Sequence, residues 1–253
     1  MNATLPRSVW IAEDRTYWDI AADPQSVDLL ADVDAMIVPY SAAPEVNTDA
    51  VIRVRELLER AAQWSVGTLL VKNPYDDDSY EPAVTAIETF TSVKYHALSN
   101  VARILGATSV SFVDVRVDQS ASKWFAGINA TVKIAAGEGD ASREVKKKVE
   151  ESLKGVMTFG GGDPDPKAAL AYLSRRRLMG DHQLRSLVDM RTGNNPISSY
   201  EMVIDGVKES DGNFRSALKL ANAGPVKAFD IGGSFSTAVS TLSRVEVRIK
   251  IAF

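Results

Sequence analysis

Arg244-Val245-Glu246-Val247-Arg248-Ile249-Lys250-Ile251-Ala252-Phe253 is the stretch on which the fold turns. Val245, Val247, Ile249, Ile251 and Phe253 alternate with Arg244, Glu246, Arg248 and Lys250. Successive side chains of a strand point to opposite faces, so one face of this segment must be buried and the other carries charge. That is the mark of an antiparallel sheet with one face turned to water.

Working outward, the same period of two recurs. Val113, Val115 and Val117 alternate with Asp114, Arg116 and Asp118, and Ile128, Ala130, Val132 and Ile134 alternate with Asn129, Thr131 and Lys133. Joined through residues 119–125, these read as one long antiparallel hairpin. Further strands are expected near 197–204 and 226–235. Residues 214–221 satisfy both periods: Phe214, Ala217, Leu218 and Ala221 fit a helix, whereas Phe214, Leu218 and Leu220 fit a strand.

Helical spacing fills the intervals. A long helix over 82–105 carries Val84, Ile87, Val93, Leu98, Val101 and Leu105 as its inner stripe, with Gly106 placed to end it in the left-handed conformation. Residues 141–157 repeat Val145, Val149, Leu153 and Val156. Gly160-Gly161-Gly162-Asp163-Pro164-Asp165-Pro166 reads as a linker ending in a proline helix start, and the helix that follows runs to about Met190 with a break at Gly180.

The first 78 residues differ in rhythm. Strands at 9–11, 35–38 and 68–71 are separated by helical segments near 26–33 and 51–61, the latter capped by Thr48 or Asp49. Strand, helix, strand, helix, strand predicts a small parallel sheet. The expected fold is therefore α+β: a small βαβαβ α/β unit over 1–78, then an antiparallel sheet with packed helices over 79–253, the two able to form one body.

Composition narrows the chemistry. The 253 residues are 45% hydrophobic and 25% charged, as in ordinary globular proteins. No apolar run reaches the 18 or so residues of a spanning helix, and the N-terminus lacks a secretory pattern; the cytoplasm is the expected compartment. With no cysteine, disulfides, thiol nucleophiles and zinc–thiolate sites are excluded. A net charge of −4 argues against general nucleic-acid binding.

Each chemical motif has a plain alternative. The glycine runs lack the Lys-Ser/Thr of a phosphate loop and read as turns. Asp76-Asp77-Asp78 offers oxygen ligands for Mg²⁺ or Ca²⁺, yet without an EF-hand loop it reads as a solvated turn. Asp181 beside His182 is a minimal acid–base pair, but neighbours on a helix point about 100° apart. His96, within the long helix, reads as a packing or surface residue. Arg175-Arg176-Arg177 is the compact basic cluster: it suits anionic lipid headgroups, or simply the negative end of a helix dipole. Lys146-Lys147-Lys148 invites the same membrane reading, but the glutamates around it favour a solvated face. No catalytic, cofactor-binding or metal-ligating residue is assigned, and no cofactor is implied.

Arg176-Arg177-Leu178, Asp181-His182, Leu184, Met190-Arg191 and Asn195, followed by a strand, resemble the helix-to-strand passage of the gasdermin pore-forming domain. Gly233-Ser234-Phe235, a Ser/Thr-rich stretch and the charged final strand are similar to that domain's close. The resemblance covers the last third of the chain and implies self-association and membrane attack, with helices between long strands refolding into amphipathic hairpins. Three readings stay open. One is a non-enzymatic homo-oligomer acting on an anionic membrane surface, with Arg175, Arg176 and Arg177 meeting lipid. Another is a protein-binding or assembly module. The third is an enzyme with a carboxylate site at the ends of the first three strands, near Asp14, Tyr40 and Asn73, with Asp76 or Asp77 beside it.

Overall fold

The computed structural model describes residues 5–24, 26–41, 48–76, 78–83, 85–118, 147, 149–176, 178–221 and 244–253. Among these, helices and two four-stranded sheets make an α+β protein. The described residues within 1–87 and 209–221 form one compact unit, and those within 88–118, 147–208 and 244–253 form a second.

In the first unit, β1 (Ser8–Ala12), α1 (Asp14–Ala22), a 3₁₀ turn (Val27–Leu29), β2 (Ala35–Pro39), α2 (Asp49–Arg60), β3 (Leu69–Lys72) and β4 (Tyr80–Pro82) give a sheet of order β2-β1-β3-β4. β1 and β2 are parallel, but β3 runs antiparallel to β1 and β4 antiparallel to β3, so the sheet is mixed rather than parallel. The reason lies in the return from α2. Trp64 donates its indole N–H to the Tyr40 carbonyl at 3.2 Å and stacks on the Tyr40 ring, holding the chain at the end where β2 finishes. β3 must start there and run back.

Thr48 caps α2 by accepting the Val51 N–H. Val54 and Leu58 bury against Val9, Ile11, Val38 and Leu70, with Val51, Leu57 and Trp64 packed alongside. This apolar cluster, with Leu5 and Tyr80, is a core of the first unit.

α3 (Ala86–Ile104) belongs mostly to the second unit. Its buried stripe is Phe90, Thr91, Lys94, Tyr95, Leu98, Val101 and Ala102, rather than one through Val93, which is half-buried. It ends as its sequence requires. Gly106 adopts φ +80°, and the Ala107 N–H reaches back to the Ala102 carbonyl in a Schellman closure. The residues around Gly162 lie so close that a Cβ on Gly106 would fall 2.1 Å from the Gly162 carbonyl oxygen.

β5 (Ser109–Asp118), β6 (Val156–Thr158), α4 (Pro166–Arg175), α5 (His182–Thr192), β7 (Ser199–Asp205), α6 (Gly206–Ala221) and β8 (Arg244–Ala252) follow. The second sheet has the order β6-β5-β8-β7, antiparallel throughout. Its core face carries Val110, Val115, Val247, Ile249, Ile251, Met202 and Ile204. Across it, Asp114 faces Arg248, Arg116 faces Glu246 and Glu201 faces Lys250. These opposite charges suit neighbouring strands in water.

Two expectations change here. The register slips between Phe112 and Asp114, and Val113 leaves the core row at 49% exposed. One extra residue in β5 turns everything after it by one face. Val156 starts β6 at 63% exposed instead of continuing a helix, while Val149 and Leu153 are buried in a helical turn as expected. The partner strand expected at 128–134 and the strand at 226–235 lie outside the described residues.

Candidate functional site

β5 is followed in sequence by β6, its antiparallel neighbour, and β7 by β8, likewise. Among the described residues β5 ends at Asp118 and β6 begins at Val156, and β7 ends at Asp205 and β8 begins at Arg244. In register, Asp118 lies beside Arg244, and Asp205 beside Glu246. Both long connections, 119–155 and 206–243, therefore hang from one end of the sheet.

The opposite end is tied. The Thr108 N–H and hydroxyl both donate to the Ala252 carbonyl, and the Phe253 N–H donates to Ser198. Arg191 donates to the carbonyls of Leu105 and Ile197 while its guanidinium lies 4.6 Å from the Phe253 ring centroid.

The second connection opens with α6, which continues from β7 without a loop. Asn213, Ser216 and Lys219, three residues apart on one helix face, make polar contacts within the first unit. Asn213 Nδ2 donates to the Lys72 carbonyl at 2.8 Å. Ser216 Oγ donates to the Asp34 carbonyl at 2.8 Å and meets Ser8 Oγ at 2.7 Å. Lys219 pairs with Asp32. Burial pushes the Asp32 carboxyl up, but Lys219 and the N–H groups of Asp34 and Ala35 outweigh it and leave it below the ordinary value. Phe214, Ala217, Leu218 and Leu220 of α6 are buried.

The residues singled out in the sequence are scattered. Arg175 ends α4 and Arg176 caps it, both exposed, as a helix dipole favours; Arg177 lies outside the described residues. Asp14 is bonded to the residue after Tyr40: the Ser41 N–H donates to Asp14 at 2.8 Å, and hydrogen bonds from Ser41 hold the Asp14 carboxyl below its usual range. Asn73 does not join them. Because β3 runs backwards, Asn73 follows the far end of that strand, where its side chain accepts the Tyr75 N–H. Asp76 and Asp78 form an exposed turn in which Asp78 pairs with Arg53, and Asp77 lies outside the described residues. His96 and His182 are exposed. Lys147 is exposed and 3.9 Å from Glu151; Lys146 and Lys148 lie outside the described residues. Gly161 and Gly162 take positive φ in the turn after β6.

Asp181 has a partner that the sequence reading missed. Its Oδ1 caps α5, accepting the N–H groups of Gln183 and Leu184, and its Oδ2 lies 3.1 Å from Nζ of Lys94, whose side chain is 2% exposed. Lys94 also donates to Gln183, which donates on to the Val203 carbonyl. A signal was available: Lys94 stands four residues from both Phe90 and Leu98, in the middle of an apolar stripe.

Among the described residues no group of three or more His, Asp or Glu could hold a metal ion, and no helix is long and apolar enough to cross a membrane. No protein-family model, no curated protein and no solved structure matches the chain.

Proposed function

We propose that this protein attacks membranes by lengthening its second sheet: the connections 119–155 and 206–243 open into hairpins that extend β5–β6 and β7–β8. The observation that carries the reading is that both connections hang from one end of a sheet whose other end is tied. Among the described residues the other connection within this sheet, from β6 to β7, lies at the tied end.

The sequence of the second connection suits that state. Continuing the β7–β8 register without a slip pairs Gly206 with Val245 and closes at Pro225–Val226, beside Gly224. A Gly-Pro pair is a turn signal, and it stands at the middle of the segment. In this hairpin Phe214, Ser216, Leu218 and Leu220 continue the row of Met202 and Ile204. On the returning strand Phe229, Ile231, Phe235 and Val239 continue the row of Val247 and Ile249. The other row carries Glu209, Asp211, Asn213, Arg215, Lys219 and Asp230. A membrane strand needs one lipid-facing and one water-facing row over about 9–11 residues, which 212–222 and 229–239 supply. The alternation of residues 128–134 offers the first connection a matching segment. The resemblance of the last third to the gasdermin pore-forming domain points the same way.

One chain contributes four strands, and the smallest membrane barrels need about eight. Insertion therefore calls for self-association, and the exposed Arg175 and Arg176, with Arg177, are the residues we assign to anionic headgroups.

The absence of cysteine allows a direct test. Single cysteines placed one at a time over 230–237, labelled with a polarity-sensitive fluorophore, should report apolar surroundings at every second position on anionic vesicles that release their dye. Vesicles that stay sealed, or labels that follow a helical period, sink the proposal.

A further inference from the structure

We infer that the first unit acts as a clamp on α6, and that opening this clamp is the step that permits the second connection to insert; the inference rests on the insertion reading above. Residues 214–221 satisfy a helical and a strand period equally well, so their own sequence does not decide between the two states. What they dock against decides. Asn213, Ser216 and Lys219 share a face only in the helix; in a strand Ser216 points away from the other two. Their contacts with Lys72, Asp34, Ser8 and Asp32 therefore favour the helical state alone. A partner shifts a two-state equilibrium only through such differential contacts.

The anchoring groups are themselves well placed. The Asp34 carbonyl accepts from the N–H groups of Arg7 and Ser8 as well as from Ser216. Arg7 also pairs with the Asp34 carboxylate at 3.2 Å and lies so near α6 that a Cβ on Gly212 would fall 2.5 Å from its guanidinium. The four anchoring contacts are polar, and water can replace each one as the helix leaves, while the buried side chains of Phe214, Leu218 and Leu220 pass to the apolar row of the hairpin. A purely apolar seat would instead have to expose its whole area at once.

The test uses all 253 residues of the sequence, which contain no cysteine. Ser8→Cys with Ser216→Cys replaces two hydroxyls 2.7 Å apart, and oxidation should join them. We expect the oxidised protein to leave anionic vesicles sealed and the reduced protein to release their dye. Equal release in both forms overturns the clamp and leaves insertion standing. A second variant guards against a cross-link that fails to form. Lys219→Glu should lower the protein concentration for half-maximal release about two- to fivefold, as loss of an exposed ion pair allows; Lys219→Arg should not. If the unmodified chain releases no dye from any vesicle, the insertion reading falls instead. Amide exchange over 212–221 then decides for the clamp, faster in Lys219→Glu and unchanged in Lys219→Arg; equal exchange in both overturns it.

Discussion

Asp181 shows how one side chain can serve two ends of a structure. One oxygen closes the first turn of α5 and the other meets the ammonium of Lys94, buried in α3. Removing a helix cap alone costs about 1 kcal/mol, whereas stripping one partner from a buried pair costs about 3–5 kcal/mol. Asp181→Ala is therefore expected to fall in the higher range by denaturant unfolding. Lys94→Met should cost less, because it fills the same space and leaves Asp181 capping α5. An equal cost for the two would mean that the pair contributes little beyond packing. Asp181 and His182 are neighbours in sequence, but in the folded chain His182 is exposed while Asp181 caps α5 and takes a partner 87 positions earlier.

Elements were more legible than their directions. β8, β7, α2 and the C-terminal end of α3 follow from periodicity and caps, since burial on one face imposes those patterns directly, whereas the helix expected from 82 starts at Ala86 because Tyr80–Pro82 pairs with β3 as β4. The antiparallel course of β3 could not be read, because an apolar run of four residues is the same in either direction. The slip at Val113 had a signal that the row of valines at 113, 115 and 117 masks: the apolar positions change parity between Phe112 and Val113, where the register shifts. The sequence of α6 over 214–221 is compatible with both periods, and the helix is decided by what it docks against. The end of α2 offers a test of element-level strain. Ala62 holds φ 55° where a Schellman closure ordinarily uses glycine, with its N–H bonded to Glu59 and that of Gln63 to Leu58. Ala62→Gly should raise stability by about 0.5–1 kcal/mol in thermal or denaturant unfolding, since an L-residue there pays about 1–2 kcal/mol and glycine returns only part of that as chain entropy. An unchanged or lowered midpoint would show that the turn is set by Trp64 and Tyr40 rather than by backbone preference.

At the scale of the whole molecule, the second sheet has unlike ends. Arg191, Thr108 and Phe253 tie one, and the two long connections hang from the other. Amide exchange along β8 should be slowest near Ile251 and Ala252 and should quicken towards Arg244 and Val245, because local opening starts where fewest bonds hold; uniform exchange along the strand would contradict this. The candidate function was legible only in part for the same reason. Alternation showed which strands are amphipathic, but that both connections share an end emerges from the pairing of β5 with β8 and β7 with β8, residues more than a hundred positions apart in the first case. The tied end has a mechanical consequence. Tension applied to the two connections would part neighbouring strands one hydrogen bond at a time, as a zip opens, whereas tension along β8 would have to shear its bonds together, so the sheet is soft to one direction of pull and stiff to the other.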